Sequence, residues 1–144
     1  MVGIPGSGKT TFAKKIKGVK YLGTDSIRKE LLNKELTLRD HDRVHKILHA
    51  KMYHYLSNGV DVVIDCMNIT KKQRKILLNE MPKNTKVIVV CMKTGLFQAL
   101  LNNRKRERHV PTFGIIFFHL IKEIPQKSEG FSQVIFIGEK SWKK

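Results

Sequence analysis

Acidic residues are scarce in this sequence. Twelve Asp and Glu stand against 28 Lys and Arg, a formal net charge of +16 on 144 residues. ATP alone does not call for so strong a field, so RNA, DNA or an acidic surface is the expected partner. A lysine-rich surface from compositional bias is the other reading. Cysteine is nearly absent too. Cys66 and Cys91 both sit in apolar, strand-like runs, which reads as reduced, packed thiols in a cytoplasmic protein, with a regulatory disulfide as the lesser alternative. Long hydrophobic runs are missing. The apolar run Gly114–Phe118 is followed by His119 and then Lys122, so no membrane span and no membrane partner is expected. No charged start followed by an apolar stretch suggests a signal peptide. Repeats, low-complexity segments and long linkers are also lacking, and the length suits one domain over 1–144.

Two local absences matter as much. Only Met1 and Val2 precede Gly3, whereas a phosphate-binding glycine loop normally follows a buried strand of four or more apolar residues. The expectation is either a very short first strand or a sequence that starts inside it. The second absence is next to Asp65, where Cys66 occupies a place that a motor ATPase fills with Glu to activate water. Work driven by hydrolysis is therefore disfavoured.

What is present is organised around Gly3-Ile-Pro-Gly-Ser-Gly-Lys-Thr10. Gly, four residues, then Gly-Lys-Thr is the spacing of a phosphate-binding loop. Gly3, Gly6 and Gly8 let backbone N–H groups approach phosphate oxygens. Thr10 and Thr11 open a helix expected over Thr11–Lys17. Lys9 can reach the β- and γ-phosphates, and the Thr10 hydroxyl can ligate Mg²⁺. The alternative, a glycine turn that happens to precede a helix, explains neither the spacing nor the Lys-Thr pair. Gly6, Ser7, Gly8, Lys9, Thr10 and Thr11 are thus the expected contacts to ATP or another nucleoside triphosphate.

Further along, Val19–Leu22 is a short strand ended by Gly23, and Thr24-Asp25-Ser26 caps a helix starting near Ile27. Asp25 and Arg28 share a face of that helix. By spacing alone they are a cap and a surface charge. Just past a parallel strand, however, they face the phosphate loop's cleft, where a carboxylate can take a hydroxyl proton and an arginine can steady phosphoryl charge. The helix is expected to continue through Leu36 and break over Thr37–Asp40. His41–Leu56 is amphipathic on Val44, Leu48 and Met52, with His41, His45 and His49 as a second row. That row is read as a partly exposed face rather than a metal site. Val60–Cys66 is a buried strand ending in Asp65, either a support for Mg²⁺ or a structural carboxylate. Met67 and Asn68 come next, at the cleft. Thr70 caps Lys71–Met81, whose Lys71, Lys72, Arg74 and Lys75 read as a solvated face. Thr85–Met92 is a strand and Gly95–Asn103 a helix. The basic run through Arg104, Arg106 and Arg108 is either solvated or a lid, spanning about 100–115, that closes over the triphosphate. Thr112–Ile124 is a very apolar helix whose Phe113, Phe117 and Phe118 read as core. Gln133–Gly138 is a last strand, followed by a basic tail, Lys140–Lys144. The alternation predicts an α/β fold: a doubly wound parallel sheet of about four to five strands with helices on both faces and a helical, arginine-rich lid.

Taken in order, these motifs resemble the polynucleotide kinase branch of the P-loop phosphotransferases. The resemblance rests on the phosphate loop, Thr24-Asp25-Ser-Ile-Arg28, Val63-Ile-Asp65-Cys-Met-Asn68, Asn103-Arg-Lys-Arg106 ahead of Val110-Pro111, and Pro125 with Glu129-Gly-Phe131. It implies transfer of the ATP γ-phosphoryl group to the 5′-hydroxyl of RNA or DNA. Asp25 would be the general base, and Arg28 would contact the scissile phosphate or acceptor. Asn68 would lie at the acceptor, and Asp65 would join Thr10 on Mg²⁺. Arg106 would grip ATP with Arg104 and Arg108 as substitutes in register. A stand-alone 5′-kinase is implied, with no phosphatase or ligase domain. Two alternatives stay open: a small-molecule or nucleoside kinase of the same fold, and a nucleotide-gated nucleic-acid-binding module without acceptor chemistry.

Overall fold

A computed structural model describes residues 1–31, 40–106 and 109–138. The expected helix continuation to Leu36 with the break after it, Arg108 and the basic tail Lys140–Lys144 lie outside the described residues. In chain order the elements are α1 (Lys9–Ala13), β1 (Lys20–Gly23), α2 (Thr24–Leu31), α3 (His41–Ser57), β2 (Val62–Asp65), α4 (Lys71–Asn79), β3 (Ile88–Lys93), α5 (Leu96–Arg104), α6 (Thr112–Leu120) and β4 (Gln133–Gly138). A 3₁₀ turn, Lys127–Glu129, precedes β4. No helix among the described residues is long and apolar enough to cross a membrane.

The strands form two parallel pairs. β1 runs beside β2 with Gly23 opposite Asp65, and β3 runs beside β4 with Cys91 opposite Phe136. Met1–Gly3 joins the pairs. Met1 N–H donates to the Ile64 carbonyl, Val2 N–H to Val90, and Met92 N–H returns to the Val2 carbonyl. The strand expected before the phosphate loop is thus a single bridged residue, Val2, opposite Cys91. It still delivers the loop between β2 and β3. Val89, Val90, Cys91 and Met92 are all buried, so β3 is covered on both faces, as a parallel strand in an α/β fold must be.

Local chemistry explains the element ends. The α3 stripe of Val44, Leu48 and Met52 packs on Leu22, Ile27 and Ile64, each large side chain contributing about 1.5–3 kcal/mol by leaving water. Gly59, at φ 72°, stops that helix and returns its N–H to Leu56. Thr70 caps α4 by accepting from the Gln73 N–H, while the Gln73 side chain accepts the Thr70 N–H. α1 begins at Lys9 rather than Thr11 and is only five residues long. α6 ends at Leu120. It is apolar along most of its surface, but only one of its faces meets the core. Ile115 and Phe118 pack with Ile4, Ile69 and Ala99, while Phe113 and Phe117 are exposed, which corrects their reading as core.

Arg74 was expected on a solvated face and is instead buried. Its Nε and one terminal nitrogen form a fork onto both Glu129 oxygens, at 2.7 and 2.9 Å. The other terminal nitrogen donates to the carbonyls of Asn68, Ile69 and Glu123, at 3.1, 3.2 and 3.1 Å. One side chain thus ties the segment after β2 to the segment after α6 and to the 3₁₀ turn. Bonding to Arg74 holds the Glu129 carboxyl below its usual range, so the stabilisation is present at neutral pH and is lost as pH falls below the unfolded value near 4.5. Arg74→Met strands a buried carboxylate and is expected to cost about 3–5 kcal/mol. Urea unfolding at pH 7 measures this, and a loss under about 1 kcal/mol would contradict the buried pairing.

Candidate active site

The phosphate loop is braced from outside. Asn102 of α5 donates to the Gly6 carbonyl at 2.9 Å, and Thr94 donates to the Ser7 carbonyl at 2.9 Å. With these carbonyls engaged, contact with an anion falls to the loop's N–H groups. Gly6, at φ 79°, lies so close to α5 that a Cβ would collide with the Ala99 carbonyl, and Gly8 sits at φ 87°. Both positions require glycine. Lys9 is buried inside the turn, its ammonium donating to the Ile4 carbonyl at 2.9 Å and to the Ser7 hydroxyl at 3.4 Å. Burial pulls its pKa from 10.5 down to about 8; nearby Asp65 opposes the shift, and nearby Arg106 adds to it.

Asp65 is the buried end of β2. One of its oxygens accepts the Thr10 hydroxyl at 2.6 Å and the Tyr21 hydroxyl at 2.7 Å. A threonine hydroxyl against a buried carboxylate is a hard-oxygen donor set, which fits Mg²⁺ and suits no soft metal. Tyr21 escaped the sequence reading. Gly23 makes room for it, since a Cβ there would lie 2.5 Å from the Tyr21 hydroxyl. The glycine clears the path of the tyrosine toward Asp65. Burial, then the bond to Asp65, raises the Tyr21 pKa, so the hydroxyl keeps the proton it donates.

A second constellation gathers at Asp25. One carboxylate oxygen meets Arg28 at 3.1 Å, and the other meets Arg106 at 3.2 Å across 81 positions of sequence. Arg28 also reaches His41 Nδ1 at 3.3 Å. Asp25 remains half exposed, at 52% of its side chain. Arg106 is felt at Lys9, so its charge serves both constellations. The other expected site residues are placed differently. Thr11 is exposed. Arg104 is exposed, forms no salt bridge among the described residues, and lends its backbone carbonyl to His109 at 3.0 Å. Asn68 is buried in a left-handed conformation at φ 46°, its amide on the Met1 carbonyl at 3.4 Å. The His41, His45 and His49 rings contact one another in sequence at 4.6 and 6.1 Å. Among the described residues no cluster of three His, Cys, Asp or Glu could hold a metal.

A phosphate loop delivered between two parallel strands, with its threonine bonded to the carboxylate ending one of them, defines a P-loop nucleotide-binding domain of the kinase-like α/β type. A family model described as "AAA domain" matches residues 1–113, and the chain belongs to that family. No curated protein matches the sequence. Among solved structures, the chain is similar to a sugar kinase from Janibacter sp. HTCC2649, in an unliganded structure. The identity is 22% with TM-score 0.67, covering 95% of this chain and 82% of that one. It is also similar to a gluconokinase from Sinorhizobium meliloti 1021, at 18% identity and TM-score 0.61, covering 95% and 79%. At these identities the likeness is one of fold.

These neighbours correct the expected partner. They are named for a sugar and for gluconate, not for RNA or DNA ends, and the 5′-hydroxyl polynucleotide expected from charge and motif is withdrawn. The motifs misled because they place phosphate-handling groups, which any acceptor hydroxyl needs. The charge misled because its lysines are distributed over the surface: exposed lysines occur in or beside α1, α2, α3, α4 and β3.

This geometry has two measurable outcomes. Phosphate binding by the Lys9 cation would make nucleotide affinity fall as pH rises through about 8, with proton uptake on binding. The same depressed pKa makes the group's contribution to free-protein stability rise between about 8 and 10.5. Calorimetry in buffers of different ionisation heat near pH 8 reads the uptake, and its absence would contradict the buried amine. Tyr21→Phe removes one of the two hydroxyls on Asp65 and is expected to cost about 1–3 kcal/mol in urea unfolding.

Proposed function

We propose that this chain transfers the γ-phosphoryl group of ATP to a hydroxyl of a small polyhydroxylated acceptor, of the sugar or sugar-acid class. The observation that carries this reading is the half-exposed Asp25 carboxylate held between Arg28 and Arg106 beside a braced phosphate loop. The protein is a phosphotransferase with an alcohol group as acceptor. Asp25 takes the acceptor proton, and Arg28 fixes its orientation from one turn away on α2. Gly6, Ser7, Gly8 and Lys9 hold the phosphates. Thr10, with Asp65 behind it, would hold Mg²⁺, which when bound neutralises charge on the phosphate oxygens. Arg106 brings a further positive charge to the place where phosphoryl charge develops. Kinase names on both similar structures support the reaction class, and their small substrates support the acceptor class.

Transfer is favoured over hydrolysis by the residue after Asp65. Cys66 is buried in the cluster of Leu22, Val44 and Ile64, and burial pushes its thiol pKa up. It cannot serve as a base toward water. Asp25→Ala is expected to lower turnover by about 10²–10⁴-fold while nucleotide affinity changes little. Turnover assays with equilibrium nucleotide binding on the same sample check this. Full activity in the variant would remove Asp25 from the chemistry.

A further inference from the structure

We propose that the outward face of α6 is the contact between two copies of this chain. Phe113, Ile116, Phe117 and Leu120 recur at helical spacing along it, and three of them are more than half exposed: Phe113 at 77%, Phe117 at 55% and Leu120 at 76%. Phe117 contacts Phe118, which packs on the core, with ring centroids 5.9 Å apart. Phe97, on α5 packed against α6, is 75% exposed as well. Together these side chains show on the order of 600 Å² of apolar surface. That stands at the upper end of the largest patch a typical monomer carries, about 300–600 Å². It also approaches the roughly 800 Å² per partner of a standard interface.

Charge selects the occupant. Residues 112–121 contain no Asp, Glu, Lys or Arg, in a chain that is 28% charged and carries +16. Two such copies repel through their net charge, and a helix without Asp, Glu, Lys or Arg is where that repulsion is least. A face made only of apolar side chains is complementary to its own copy around a two-fold axis. A helix lying on lipid presents Lys and Arg on its polar face. The opposite side of α6 is instead committed to Ile115 and Phe118 in the core.

Sedimentation velocity over a concentration series tests this. The weight-average mass is expected to rise from 16.6 kDa to a plateau at twice that value. Added salt is expected to tighten the association, because it screens the like charges. Phe117→Ser and Leu120→Ser are each expected to weaken it about tenfold or more while leaving circular dichroism and nucleotide binding unchanged. A monomer at every concentration and salt level overturns the proposal. So does growth past the dimer without a plateau. A monomer that floats with anionic vesicles, and stops floating in the Phe117→Ser variant, gives the face to lipid and overturns it too.

Discussion

The hydrogen bond between Thr10 and Asp65 is the contact on which the rest of the site depends. It is 2.6 Å long and joins the end of the phosphate loop to the end of β2. The carboxylate that receives it is buried, and a buried carboxylate persists only where hydrogen bonds replace water. Thr10 and Tyr21 supply them, one from the loop and one from β1. Three segments distant in sequence are thereby fixed at one point. Lys9 adjoins Thr10 in the chain, so the same point sets where its amine lies. With Gly6 seated against α5 and two carbonyls held by Asn102 and Thr94, the loop is organised before any phosphate arrives. Such preorganisation is what lets fixed dipoles and charges act on a transferring group.

Around that point the chain uses polar ties where its core is thin. The two strand pairs are joined through the short segment Met1–Gly3, with Val2 as its bridged residue. Arg74 then does what a longer sheet would do, bonding the segments around Asn68, Glu123 and Glu129 to one guanidinium. Arg106 makes the corresponding tie above the site, reaching from the end of α5 to Asp25. Both arginines have defined carboxylate partners, which separates them from the exposed lysines that dominate the net charge.

Much of this was legible in the sequence. The phosphate loop, the strand ending at Asp65, the Thr70 cap and the Val44–Leu48–Met52 stripe each arise from local chemistry that tertiary structure had no reason to override. The pairing of Asp25 with Arg28 came from helical spacing. Arg106 was singled out by its motif position, although its ion pair with Asp25 spans most of the chain. What sequence did not disclose was long-range. Arg74 sat among lysines and looked solvated, because its partner Glu129 lies 55 residues on. Tyr21 looked like a strand residue, because nothing local shows that its hydroxyl crosses Gly23 to Asp65. The phenylalanines of α6 looked like core because hydrophobicity alone cannot say which side of a mostly apolar helix is covered. The acceptor was misjudged for a different reason. Net charge records how many cations a surface has, but a polynucleotide site depends on where they stand.

The central claim is that a small hydroxyl compound receives the phosphoryl group. The most direct measurement mixes the protein with γ-labelled ATP, Mg²⁺, a panel of sugars and sugar acids, and a 5′-hydroxyl oligonucleotide, and then separates the labelled products. Label on one small compound, unaffected by excess oligonucleotide, is the expected result. Label on the oligonucleotide end, or only on free phosphate, would contradict it.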